Sequence, residues 1–236
     1  FLLIADEAHN MGSNSIRKKL DSITTERRIG LSATPKRVYD PEGTSALDAF
    51  FDDSLPYSYS FSMKRALEEG FLTEYKYYPH IVELEDDEFE EYIEISKKLL
   101  KFFDFAKGTF KNDPIVEILL LKRKNLIHKA RGKLKVFQEI LQDLKQKNKL
   151  HYAFGYVPEG YEKGKEDSRL IEDYLIAASE AVPGLKSNSY TTHDEKLNEI
   201  IRGFSEGKID LLLAMKMLDE GVDIPRAEIG IFCSST

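Results

Sequence analysis

Phe1-Leu2-Leu3-Ile4-Ala5-Asp6-Glu7-Ala8-His9-Asn10 is the stretch whose reading decides the fold. Its apolar run predicts a buried parallel strand, and two adjacent carboxylates break it. In an open α/β sheet, chemistry collects at the carboxyl ends of the strands, where Asp6 and Glu7 fall. Side chains alternate along a strand, so neighbours at its end can take different jobs. One carboxylate can hold Mg²⁺, usually through water, while the next orients and polarises an attacking water. Phosphoryl transfer needs both roles. The bland alternative is an ordinary acidic turn after a strand. Ala8 and His9, completing Asp-Glu-Ala-His, weigh against it. His9 does not point to zinc, because no His-Glu-x-x-His helix is present.

Two further stretches extend the pattern. Arg27 to Thr34 reads as a second parallel strand ending in Ser32-Ala33-Thr34-Pro35, whose hydroxyls can hydrogen-bond to the carboxylate pair. Asp219-Glu220-Gly221-Val222-Asp223-Ile224-Pro225 follows a buried strand near the end of the chain. In this order the three resemble motifs II (Walker B), III and V of superfamily 2 helicases and translocases. The form of the last resembles DNA translocases of restriction and repair systems more than RNA-processing helicases.

That resemblance implies an α/β fold of two RecA-like parallel-sheet lobes, the first incomplete, joined by a helical insertion. The boundaries read as 1–84 for the first lobe, 85–132 for the insertion and 133–236 for the second lobe. The resemblance also implies ATP and Mg²⁺ as cofactors, with hydrolysis in the cleft between the lobes. Asp6 would hold Mg²⁺ through water, Glu7 would polarise the attacking water, and His9 would complete the motif. Ser32 and Thr34 would couple hydrolysis to lobe movement. Gly221, Asp223 and Glu220 would face the nucleotide. Phe154 and Gly155, which resemble motif IV, would face nucleic acid with Thr191, Thr192 and Lys216. Many relatives carry Thr where Met215 or Lys216 stands here; Lys216 can replace that phosphate contact only electrostatically.

Composition narrows the class. The 236 residues, 42% hydrophobic and 32% charged, suit a globular protein of two modest domains or one large one. No apolar run approaches the ~20 residues that span a bilayer. A single cysteine, Cys233, excludes an internal disulfide framework and fits a reducing, cytoplasmic compartment. The net charge of −7 means that any nucleic-acid contact must be local. One basic run stands out: Lys122 to Lys149 carries a surplus of about eight positive charges. Lys122, Arg123, Lys124, Lys129, Arg131, Lys133 and Lys135 are candidates for phosphate contacts. A solvated helix face, or pairing with the acidic block Glu83 to Glu94, is the competing reading.

Elsewhere strand and helix patterns alternate, which predicts right-handed crossovers in a parallel sheet. Lys36 to Thr44 reads as a surface loop and Ala46 to Phe51 as a helix. Tyr57 to Phe61 and Tyr75 to Leu84 read as strands, with most of the aromatics between them packed in a core. Ser62 caps a helix over Met63 to Glu69, ended by Gly70. Glu85 to Phe105 and Ile115 to Arg131 read as helices, the second opened by Asp113-Pro114.

The 236 residues hold no Gly-x-x-x-x-Gly-Lys-Ser/Thr loop and no arginine-rich motif VI. With a first residue other than Met, the sequence reads as a piece of a longer protein that hydrolyses ATP poorly alone. The function read from it is an ATP-dependent nucleic-acid motor, DNA before RNA, with nuclease or other subunits as possible partners and no membrane. The alternative is an inert clamp that binds nucleic acid or protein. The four residues Asp6, Glu7, Ser32 and Thr34 argue against the clamp.

Overall fold

The computed structural model describes residues 1–37, 40–105, 108–111, 113–160, 170–191, 197–215 and 226–234. Its contacts divide the chain into two units, Phe1–Tyr77 and Tyr78–Thr236. Parallel strands alternating with helices make it an α/β protein, as the sequence pattern implies.

In the first unit, β1 (Leu2–Ala5) lies parallel to β2 (Arg27–Gly30), with Leu2 opposite Arg27 and Ala5 opposite Gly30. A 3-10 turn (Ala8–Gly12), the short helix α1 (Asn14–Arg17) and a second 3-10 turn (Leu20–Ser22) connect them. Helix α2 (Pro41–Phe51) begins inside the expected surface loop. The reason is local: Asp40 accepts a hydrogen bond from the Gly43 amide at 2.8 Å, and Pro41 occupies the first helical position. Leu47 and Phe50 are the buried apolar residues of α2. Helix α3 (Met63–Glu68) starts at Ser62, whose hydroxyl accepts from the Arg65 amide, and Gly70 follows it at φ 75°.

Three expectations fail in this unit. β1 is only half-buried: Leu2 and Ile4 remain 53% and 59% exposed. The expected strand over Tyr57 to Phe61 is not formed, nor is the one over Tyr75 to Leu84, which runs into the second unit. Extended chain becomes a strand only when a neighbour satisfies its amides, and neither stretch has one among the described residues. The aromatics in and between these stretches are correspondingly solvent-facing: Tyr59, Tyr75, Tyr77 and Tyr78 are exposed, as is Phe71, whose ring meets Phe61 edge-to-face.

The second unit opens with α4 (Asp86–Leu100), where Glu85 and Glu88 form a reciprocal capping box. This helix stops five residues before the expected end at Phe105. The chain instead makes a small antiparallel hairpin, β3 (Phe103–Asp104) with β4 (Thr109–Phe110), held by edge-to-face contacts among Phe103, Phe105 and Phe110. Helix α5 (Pro114–His128) starts as expected at the Asp113-Pro114 cap, where Asp113 accepts from the Ile115 amide at 2.8 Å. It ends three residues before Arg131. Ile95, Leu99 and Val116 bury the α4–α5 contact.

After α6 (Gly132–Gln146) come β5 (Ala153–Tyr156), α7 (Leu170–Ala181), β6 (Ser187–Tyr190), α8 (Leu197–Ser205), β7 (Leu211–Ala214) and β8 (Ile229–Phe232). All four strands are parallel, in the spatial order β6-β7-β5-β8. The period of two along each strand sends alternate side chains to opposite faces. Ala153, Leu211, Leu213 and Ile231 meet Phe137, Leu141, Ile171 and Tyr174 of α6 and α7. Phe154, Tyr156, Tyr190, Leu212 and Ala214 meet Phe204 of α8 on the other face. Two covered faces explain the unbroken run Leu211-Leu212-Leu213, each fully buried and each contributing about 1.5–3 kcal/mol. No helix among the described residues is long and apolar enough to cross a membrane.

Candidate active site

The ladder between β1 and β2 does not stop at the strand ends. Leu31 donates its amide to the Ala5 carbonyl at 2.8 Å, and Ala8 donates to the Leu31 carbonyl at 2.8 Å. These bonds zip the Asp6-Glu7-Ala8-His9 turn to Ser32-Ala33-Thr34. Gly30 permits the fit: a Cβ there would lie 3.0 Å from the Phe51 ring and 3.1 Å from the Ala8 methyl.

The side chains continue the zip. His9 Nδ1 lies 3.0 Å from Ser32 Oγ and 3.2 Å from Glu7 Oε2. Ser32 Oγ also accepts the Thr34 amide at 3.1 Å. Asp6 Oδ1 accepts the Glu7 amide at 2.9 Å. Glu7 itself adopts a left-handed backbone, φ 46° and ψ 46°, which a non-glycine residue takes at a cost. The structure thus brings five expected residues, Asp6, Glu7, His9, Ser32 and Thr34, together at the adjacent carboxyl ends of β1 and β2. Asp6 is exposed, as is the Glu7 side chain at 60%.

Behind the site lies a support that the sequence reading passed over. Arg37 donates from Nη1 to the His9 carbonyl at 2.7 Å and from Nε to Asp40 Oδ2 at 2.9 Å. Asp40 also faces Arg17 at 3.6 Å. The Gly43 amide first, then the Arg37 guanidinium, hold the Asp40 carboxyl below its ordinary range. The available signal was Arg37 placed just after Pro35 and just before the Asp40-Pro41 helix start.

Asp6 and Glu7 supply hard oxygen donors of the kind Mg²⁺ takes, one or two carboxylates with water and phosphate oxygens making up the rest. Among the described residues no group of three or more acidic, His or Cys side chains forms a metal cage.

The second unit places its candidates differently. Phe154 is buried at 5% exposure against Leu212 and Phe204, and Gly155 lies in the same buried strand. A side chain on Gly155 would collide with Leu213. Thr191 is buried at the end of β6. Thr192, Lys216, Glu220, Gly221 and Asp223 lie outside the described residues.

No family model matches the chain. It is 25% identical over 98% of its length to the DNA 3'-5' translocase XPB2 of Sulfurisphaera tokodaii, and spans 51% of that protein. It is 33% identical over 32% of its length to the Escherichia coli type I restriction enzyme EcoAI endonuclease subunit, covering 9% of that protein. The chain thus spans about half the length of the first relative and a small part of the second. Among solved structures, the Pyrococcus furiosus Hef helicase domain aligns with the whole chain and 65% of its own at 13% identity and a TM-score of 0.47. In its motifs, taken in family order, and in these sequence relatives, the chain is similar to the superfamily 2 helicases and translocases.

Proposed function

We propose that the chain is part of an ATP-dependent DNA translocase or helicase whose hydrolytic carboxylates are Asp6 and Glu7. The observation that carries this reading is the paired zip of Ala8 to Leu31 and His9 to Ser32. It fixes the acidic turn against the Ser/Thr turn, as a coupled hydrolytic site requires.

A nucleotide-bound magnesium ion would neutralise charge on the phosphates. Asp6 is the residue to hold it, with Oδ1 already oriented by the Glu7 amide. Glu7 is the residue to orient the attacking water, because its carboxylate is exposed yet tethered at one oxygen to His9. His9 passes that tether to Ser32 and, through the Thr34 amide, to the following loop. A rearrangement at Glu7 thereby reaches residues 32–34 through contiguous polar contacts that share His9 Nδ1. DNA as the track follows the names of the relatives. Backbone contacts would make binding weakly sequence-selective and strongly salt-dependent.

The test uses the full-length protein that carries this chain. Glu7→Gln should lower DNA-stimulated ATP turnover by at least ~100-fold while nucleotide affinity stays within about threefold. Turnover near the wild-type rate would remove Glu7 from the chemistry. Intact nucleic-acid binding in a wild-type protein with no turnover on any DNA or RNA would favour the inert clamp.

A further inference from the structure

The motor reading leaves most of the basic run unassigned. Arg131 is spent internally: its guanidinium contacts Glu85 at 2.7 Å, Asp87, and Glu88 at 3.7 Å. Arg123 lies over the Tyr92 ring at 5.8 Å. Lys122, Lys124, Lys129, Lys133 and Lys135 make no ion pair with a described carboxylate.

Lys133 differs from the others. Its ammonium turns inward and donates to the His128 carbonyl at 3.1 Å, and burial pulls its pKa down. The ionisable neighbour beside it is Cys233, whose thiol burial pushes up to about 12. That thiol stays protonated at neutral pH, so it supplies no counter-charge. A half-buried cation with no anion beside it among the described residues is costly to keep, and a bound anion is the simplest way to offset it.

The surroundings share this character. His128 Nε2 lies 2.7 Å from the buried Ser234 hydroxyl. Burial first, then the ammoniums of Lys133, Lys124 and Lys129, lower the His128 pKa, so the ring is a neutral hydrogen-bonding group. Whichever way the proton lies between them, the pair keeps a donor to offer. Lys129 reaches along the loop after β5, where its Cε would lie 3.1 Å from a Cβ placed on Gly160. Gly160 holds φ 113°, which leaves the peptide backbone open to that ammonium.

The place in the fold is the third element. Cys233 continues the ladder past β8 by donating to the Tyr156 carbonyl at 2.8 Å. Ser234 and the loop 157–160 therefore lie at the carboxyl ends of the adjacent strands β8 and β5. The sheet order turns around here, with β7 and β6 on one side of β5 and β8 on the other. Such switch points are where open α/β sheets form ligand crevices.

We propose that Lys129 and Lys133, with His128 and Ser234 beside them, form a phosphate-binding site at the carboxyl ends of β5 and β8. The ligand class, a nucleic-acid backbone phosphate or a nucleotide phosphate, rests on the motor reading; the site itself rests on the geometry of the second unit alone.

The test compares the wild-type chain with Lys133→Met, which keeps the aliphatic stem, and with Lys129→Gln. Lys147→Gln just past α6, whose native partner is Asp143 at 2.7 Å, controls for charge alone. The probes are tripolyphosphate by calorimetry, and a fluorescent 20-mer DNA and a non-hydrolysable ATP analogue by titration at several salt concentrations. The expected result is wild-type binding of tripolyphosphate, weakened about tenfold in Lys133→Met and Lys129→Gln but not in the control. If the DNA loses affinity in parallel, with a salt slope shallower by about one, the source is the backbone. If only the ATP analogue does, it is the nucleotide. Tripolyphosphate binding without DNA or ATP-analogue binding leaves the site standing but removes the ligand class that the motor reading gives it; the motor reading itself stands or falls on turnover by the full-length protein. Absence of tripolyphosphate binding by the wild-type chain overturns the site. Equal affinities in all four proteins overturn it as well. Amide exchange confirms that each variant is folded, and Lys129→Gln alone carries the test if Lys133→Met is not.

Discussion

The strands β1 and β7 are almost the same peptide, Leu2-Leu3-Ile4-Ala5 against Leu211-Leu212-Leu213-Ala214, yet they live in opposite environments. Every residue of β7 is fully buried, whereas Leu2 and Ile4 stand more than half exposed. The difference lies in the neighbours. β7 has β6 and β5 on its two edges and helices on both faces. β1 has one strand partner among the described residues, and α2 packs mainly on the turn that follows it. An apolar tetrapeptide specifies a strand, and its surroundings specify whether that strand is a core.

The largest expected effect tests this directly. Leu212→Ala should cost the second unit about 2–5 kcal/mol, and Leu2→Ala should cost the first less than about 0.5 kcal/mol. Urea denaturation followed by amide exchange at β5 and β7 measures the first, and exchange at β2 the second. Equal losses would erase the contrast.

A smaller effect sharpens it. One tight point of the first unit is the contact of Gly30 with Ala8 and Phe51 rather than its apolar strand face. Gly30→Val should therefore destabilise that unit by about 1–3 kcal/mol and displace the Asp6-Glu7 turn. By contrast Gly203→Ala, in α8 with Ile209 at an ordinary 3.4 Å, should stabilise the second unit by about 0.5–1 kcal/mol. Both are read from urea midpoints.

The smallest effect is in acid. In the first unit Asp40 ionises below its ordinary 3.8 when folded, held there by the Gly43 amide and Arg37. Asp87 does the same in the second unit, held by Arg131. A depressed carboxylate contributes stability that is complete above the unfolded value and drains as pH falls through the folded one. Asp40→Asn should flatten the acid limb of the first unit below about pH 4 and leave that of the second unchanged. A curve unchanged in both units would remove Asp40 from acid stability.

Much of the second unit was legible in the sequence because its elements carry complete local signals. The Asp113-Pro114 cap and the buried strand ahead of Asp219 both appear in the structure. The first unit was less legible where structure depends on a neighbour rather than on local sequence. Tyr57 to Phe61 and Tyr75 to Leu84 have a strand's composition and form no strand. The Asp40 cap and Pro41 outweigh the turn-rich composition around them, so α2 starts inside the expected loop. At the site, the meeting of Asp6, Glu7, His9, Ser32 and Thr34 followed from motif order, since both turns end parallel strands. Arg37 was missed because its two jobs, bonding the His9 carbonyl and Asp40, are visible only once the turn has folded.

The left-handed backbone at Glu7 sets evolutionary pressure on that position. Glycine or asparagine would relieve the cost of φ 46° and make the chain more stable by up to about 1 kcal/mol. A population selected only for folding would drift toward those residues. Under the proposed role, each such replacement should give a firmer protein that no longer turns over ATP, so that position trades persistence against turnover.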